Sequence, residues 1–243
     1  MNPPDKVWAF VSGGKDSTAA AIYLKEIGKL NGIAFFHTGI SVPNAIDPVR
    51  KLAERLDVIL EEYTTPVIYE EFVKKYHFAR PGTHRIYVAA LKGRCVRQFK
   101  KAHPGEWAAS GVRTEESSRR AIQAAEFGKW EGVSMWAPIL TWSDSNVWNY
   151  LRDKDFEPSP ASRILGYSGE CLCGAYGKRR DELPLLRAFY PEVAQRITHL
   201  EDEIGEQWGK KGKNRDPKQN RIDSGELWGC GGLCSAYFEE IVK

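Results

Sequence analysis

The sequence predicts an α/β fold: an open, mostly parallel sheet with helices on both of its faces. Three observations predict it. Short apolar, β-prone runs alternate with amphipathic helical stretches through roughly the first third of the chain. The connections between them are short and carry Gly, Asn and Pro. The first unit runs apolar strand, two-glycine turn and alanine-rich helix in that order.

Taken in order, residues 8–11 form the first strand, which Ser12-Gly13-Gly14 breaks. Asp16-Ser17-Thr18 then opens a capped helix through Leu24, and Asn31-Gly32 ends it. Residues 33–38 form a second buried strand, and 39–44 a loop. Residues 45–56 form a helix with Val49, Leu52, Ala53 and Leu56 on one face. A third strand covers 58–63 and a helix 67–76, whereas 80–92 show no clear period. A basic helix is expected at 93–101, a strand at 107–112, and a helix from Arg113 to about Phe127. A late strand follows at 135–140, and Ser143 caps a helix carrying Val147, Trp148 and Leu151. Beyond Pro158 and Pro160 come a loop with Cys171 and Cys173, then a helical stretch at 181–207 interrupted at Pro191. A basic loop at 210–221 and a Gly-rich tail with Cys230 and Cys234 close the chain. The expected organisation is a nucleotide-binding α/β domain at 1–160 and a Cys-containing extension packed on it at 161–243.

At 243 residues with 42% hydrophobic content, the chain can bury a sizeable core. A net charge of +3 is too small to imply nucleic-acid binding by itself. No apolar run is long enough to span a membrane, and the first strand starts too early to leave room for a signal peptide. A cytoplasmic protein is expected. Five cysteines in a reducing compartment point to metal or redox chemistry rather than to structural disulfides.

The stretch from Ser12 to Ser17 carries the first chemistry. The opening N–H groups of a helix lack internal partners, and the helix dipole adds partial positive charge there. Gly13 and Gly14 allow an anion close to the backbone, and Lys15 adds a mobile cation, so the turn can hold a phosphate chain. Asp16 is read either as a ligand of Mg²⁺ on that chain or as a helix cap. The motif Ser-Gly-Gly-x-Asp-Ser resembles the PP-loop of the ATP pyrophosphatase superfamily and lacks the spacing of a Walker A loop.

Further motifs narrow the resemblance. His37-Thr38-Gly39 with Pro43, and Gly111-x-Arg113-x-x-x-Ser117-x-x-Arg120, are similar to motifs of phosphoadenosine phosphosulfate (PAPS) reductases. Trp136-x-Pro138-Ile139, Trp142, Val147-Trp148-x-Tyr150-Leu151 and Gly166-Tyr167 follow in that family's order. The chain is thus identified as resembling the PAPS reductase family of the adenine nucleotide α-hydrolase superfamily, over roughly residues 7–175.

That resemblance implies an adenine nucleotide bound at Ser12 to Ser17, His37, Thr38, Gly39, Gly111, Arg113 and Ser117. The nucleotide is ATP with Mg²⁺, or PAPS or its unphosphorylated analogue APS. Arg113 and Arg120 are expected to face an anion, since arginine forks bind phosphate or sulfate bidentately. Arg119 is expected in a solvated pair, and His37 either touches the nucleotide or satisfies a backbone carbonyl. Some family members hold a 4Fe-4S cluster on a Cys pair and a later Cys-x-x-Cys. Here Cys95 is single and Cys171-Leu172-Cys173 has one intervening residue, so Cys230 and Cys234 are candidates to complete the ligand set, with zinc as the other metal.

Two chemistries stay open. In one, Lys15, Asp16 and the helix terminus assist cleavage of ATP between its α and β phosphates, and an adenylate accepts sulfur. In the other, Cys230 or Cys234 attacks the sulfur of a sulfonucleotide. The partners implied are a thioredoxin-like reductant or a cysteine desulfurase, with a homodimer as the oligomer considered. The 210–221 loop adds nucleic acid as an alternative partner, as in sulfur insertion into DNA or tRNA. A non-catalytic nucleotide-binding Fe–S module is the remaining alternative.

Overall fold

The computed structural model describes residues 4–116 and 125–209. Among the described residues six strands form one sheet in the order β3-β2-β1-β4-β6-β5. β1 (Val7–Phe10), β2 (Leu30–His37), β3 (Ile59–Thr64), β4 (Trp107–Ala109) and β6 (Val133–Trp136) run parallel. β5 (Phe127–Trp130) is antiparallel to β6, with Phe127 opposite Trp136. The expected open, mostly parallel α/β fold is the fold observed.

Both faces of the sheet are covered. α1 (Lys15–Glu26), α2 (Asp47–Leu56), α3 (Tyr69–Tyr76) and α6 (Asp144–Asp153) pack with Ala9, Ile33 and Phe35 in one buried cluster. On the other face, α5 (Arg94–Ala102) sets Cys95, Val96 and Phe99 against Trp8, Phe10 and Phe36. The buried Ala19, Ala20 and Ala21 present small side chains to the α1 interface. Val49, Leu52, Ala53 and Leu56 of α2 are all buried, as their spacing predicts.

Chain order reverses at β1. From β1 the chain moves outward through β2 and β3, then returns across the sheet to β4 on the far side of β1. The crevice between the carboxyl ends of β1 and β4 is therefore a topological switch point, where open α/β sheets bind ligands.

Several expected boundaries differ, each for a physical reason. Asn31 and Gly32 lie inside β2 rather than ending α1, which stops at Glu26 and turns at Gly28 with φ +71°. Gly32 is small because the Trp8 ring lies over it: a Cβ there would meet Trp8 Cζ3 at 2.5 Å. Phe127 starts β5 instead of ending a helix, and Thr114–Glu116 is one 3₁₀ turn. Residues 80–92, without a period in the sequence, contain α4 (His84–Tyr87) and a π-helical turn (Val88–Gly93) that runs on into α5. Such turns displace backbone bonding, and here Thr65 Oγ1 donates to the Ala90 carbonyl at 3.0 Å.

The later segment shares the first cluster. After α7 (Pro160–Ile164), Val42 N donates to Gly169 O at 2.9 Å and Leu172 N to Ile40 O at 2.8 Å. α8 (Arg179–Phe189) and α9 (Pro191–Ile204) break at Pro191 as expected and bury Leu183, Leu186, Val193 and Ile197. Trp208, fully buried, donates from Nε1 to Leu172 O at 2.8 Å and fixes the cysteine loop against the end of α9.

Candidate active site

The loop after β1 is braced by its own serines. Ser17 Oγ donates to Gly14 O at 3.1 Å and accepts from Ser12 N at 3.2 Å. Gly13 adopts φ +80°, which glycine tolerates without Cβ strain, and its carbonyl accepts from Ser159 N at 2.8 Å. The N-cap of α1 is Gly14, with no side-chain cap, so the cap expected of the helix start is absent. Asp16 sits in the first turn and turns its carboxylate to cations instead. An uncapped helix terminus beside a lysine leaves backbone donors to meet an anion.

Gly111 fixes the opposite wall. A Cβ there would run into the backbone of Asp16 and Ser17, so only glycine lets the exit of β4 lie against the start of α1. Two residues on, Arg113 is 2% exposed and extends across the crevice. Its Nε donates to Asp16 Oδ1 at 2.6 Å, Nη2 to Asp144 Oδ1 at 3.0 Å, and Nη1 to Trp142 O at 3.0 Å and Glu115 Oε2 at 3.2 Å. The guanidinium thus ties α1, the 3₁₀ turn and α6 together. Lys15 Nζ lies 2.9 Å from Asp16 Oδ2 and 3.0 Å from Asp144 Oδ1. Burial works to raise the Asp144 carboxyl, but Lys15 and Arg113 prevail and hold it below its usual range.

Asp144 is the member that sequence reasoning missed. Its signal was present in part: Ser143 accepts from Asn146 N at 3.1 Å as the expected cap, so Asp144 is the first helical residue of α6. What the pattern could not show is that this helix start meets α1.

The second strand end plays a different part. His37 Nε2 lies 2.8 Å from Glu62 Oε2, and Arg50 holds the same carboxylate at 2.8 Å through Oε1. Thr38, fully buried, donates to Glu170 O at 2.7 Å and so anchors the cysteine loop. Gly39, at φ +78°, accepts from Arg196 Nη2 at 2.9 Å.

Beyond Thr38 lies a buried polar group. Glu170 is 2% exposed, and its ion partner is Lys92, carried on the π-helical turn, with Nζ 2.5 Å from Oε2. Burial pushes the Glu170 carboxyl up. Burial opposes the Lys92 charge, yet the adjacent Glu170 raises its affinity for the proton. Cys171 and Cys173 influence each other's thiols. The neighbouring Cys173, with burial, raises Cys171 far above the ordinary thiol range, whereas Cys173 is held well below it by Cys171, with His84 assisting. Cys95 is separate in its bonding: it donates to Leu91 O of the preceding π-helical turn at 3.4 Å, and burial pushes its thiol up to about 12.

Among the described residues no three His, Cys, Asp or Glu side chains converge as a metal site. The cysteine pair supplies two soft donors, fewer than the four thiolates of an iron–sulfur cluster or the four ligands of structural zinc. Ser117, Arg119, Arg120, Cys230 and Cys234, with the 210–221 loop, lie outside the described residues.

Comparison with known proteins agrees with this architecture. Residues 6–161 match the phosphoadenosine phosphosulfate reductase domain. An uncharacterized protein of Methanocaldococcus jannaschii is 27% identical over 206 residues, covering 79% of this chain and 48% of its own length. The chain therefore spans about half the length of that curated relative. The PAPS reductase of Candida auris, solved as a phosphate complex, superposes with TM-score 0.51 at 19% identity, over 68% of this chain and 80% of that one. The U34-tRNA thiolase NcsA of Methanococcus maripaludis, solved with its 4Fe-4S cluster, gives TM-score 0.53 at 15% identity, over 84% and 69%. At such identities these two structures establish likeness of fold. With the match running from β1 into α7 and enclosing the Ser12–Ser17 loop, Gly111, Arg113 and Asp144, the chain belongs to the phosphoadenosine phosphosulfate reductase domain family.

Proposed function

We propose that this protein is a PP-loop enzyme of sulfur metabolism that seats the phosphates of an adenine nucleotide on the Ser12–Ser17 loop. The observation that carries the reading is Lys15 beside the uncapped start of α1, at the switch point between β1 and β4. Lys15 and the first-turn amides would bear the charge of the phosphate chain, while Arg113 holds the walls of the crevice from behind. In ATP chemistry, an acceptor oxygen attacks the α phosphorus and pyrophosphate leaves onto Lys15. A sulfur nucleophile then displaces AMP from the adenylate. In sulfonucleotide chemistry, a thiolate attacks the sulfur of PAPS or APS. The nucleotide phosphate leaves, and a thioredoxin-like dithiol reduces the thiosulfonate to release sulfite. Neither step is routed through a metal cluster.

Two assays on the same preparation separate these reactions. Pyrophosphate release from ATP with a sulfur donor and tRNA or DNA as acceptor supports sulfur transfer. Sulfite release from PAPS or APS with reduced thioredoxin supports reduction. Silence in both assays, with nucleotide still bound, would leave a binding module and refute the catalytic reading.

A further inference from the structure

Lys15, the cation assigned above to the phosphate chain, is itself held by two carboxylates. Its ammonium contacts both oxygens of Asp16, at 2.9 and 3.1 Å, and Oδ1 of Asp144 at 3.0 Å. The two carboxylates are unlike. Asp16 belongs to the loop itself, its side chain is 18% exposed, and Arg113 Nε holds it at 2.6 Å. Asp144 arrives from α6, its side chain is 55% exposed, and it meets Lys15 at 3.0 Å. Arg113 Nη2 is its other partner, at 3.0 Å, and its backbone N–H is held by Glu115.

We infer that Asp144 is an internal competitor for Lys15: its carboxylate pairs with the lysine at 3.0 Å, and a nucleotide phosphate must displace it to bind. The inference rests on the nucleotide reading above. A lysine ammonium has three protons, and the two carboxylates engage it now. An incoming phosphate needs at least one of those positions, and Asp144, half in solvent and outside the loop, is the easier group to move. Loss of that contact is a fixed cost on every ligand that uses Lys15 and no cost on a ligand that does not. Asp144 therefore sets how strongly the site favours the phosphorylated nucleotide over the bare nucleoside.

The test compares ATP, inorganic pyrophosphate and adenosine by calorimetric titration, with and without Mg²⁺, on the full chain and its Asp144→Asn variant. The exposed position makes the substitution compatible with folding, and Asp144→Ser removes the same carboxylate should the Asn variant misfold. An ion pair open to solvent on one side is modest, so ATP and pyrophosphate are expected to bind about twofold to fivefold more tightly. Adenosine affinity stays unchanged, and Asp144→Glu returns ATP affinity towards the wild-type value. Unchanged ATP affinity overturns the inference. So does weaker ATP binding, which would make Asp144 a supporting residue, or a metal ligand if the loss appears only with Mg²⁺. Failure of the wild-type chain to bind any of the three overturns the nucleotide reading itself, and the inference with it.

Discussion

Arg113 Nε donates to Asp16 Oδ1 at 2.6 Å, across 97 residues of sequence, from a guanidinium only 2% exposed. This bond joins the end of the β4 segment to the first turn of α1, and Asp144 and Glu115 attach to the same guanidinium. The buried arginine is the joint on which the walls of the crevice meet.

Replacing Arg113 by Ala removes one buried cation, leaves the Trp142 carbonyl without its donor and leaves Asp16 with Lys15 alone. The carboxylates are partly solvated, which softens the loss to about 2 kcal/mol, below the 3–5 kcal/mol of a fully buried pair. Arg113→Lys recovers little, because an ammonium with three protons cannot serve the four acceptors that the planar fork reaches. Urea unfolding of the three proteins measures both statements.

Gly111→Ala drives a methyl group into the Asp16 and Ser17 backbone, so the loop must shift. Nucleotide affinity is expected to fall at least about tenfold, the effect of losing one charged hydrogen bond. Gly82→Ala is the matched control, since its added Cβ meets nothing within 4 Å and its φ is not positive. Equal affinity in both variants would show that the Gly111 approach is immaterial to the site.

Lys92→Met strips the buried Glu170 of its ion partner and is expected to cost about 3 kcal/mol at pH 7. The sign with pH follows from the raised Glu170 carboxyl. A raised carboxyl keeps its proton longer in the folded chain than in the unfolded one. The unfolded chain therefore gains by ionising first, and folded stability falls as pH climbs past about 4.5. The variant should therefore be less impaired at pH 5 than at pH 7, read from unfolding midpoints at each pH.

Trp208→Phe keeps most of the buried ring but leaves the Leu172 carbonyl without its Nε1 donor. The expected cost is about 1–3 kcal/mol. The same change loosens the loop between Cys171 and Cys173, so thiol alkylation there should accelerate while Cys95, held by the π-helical turn before it, stays slow. Mass mapping of the alkylated cysteines reads the outcome.

What the sequence showed depended on whether the signal was local. The strand, glycine turn and helix at residues 7–26, the α2 face and the Ser143 cap rest on spacing within one or two turns, and the structure reproduces each of these elements. Asn31-Gly32 misled because its small residue answers to the Trp8 ring on a neighbouring strand rather than to a helix end. β5 escaped notice because Phe127–Trp130 is four residues long and includes Gly and Lys. Pairs such as Lys92 with Glu170, or Asp144 with Lys15, join distant segments and exist only once the sheet has set them together. The role of Arg113 sits between these cases. Its motif was visible, but its partners were not.

The central claim is that Lys15 and the start of α1 hold nucleotide phosphate, and a titration of ATP and PAPS into wild type and Lys15→Ala tests it most directly. The account predicts saturable binding of at least one of them to wild type and a loss of about tenfold or more in the variant, with the melting temperature nearly unchanged. Equal affinity in the two proteins, or no binding to either, would contradict it.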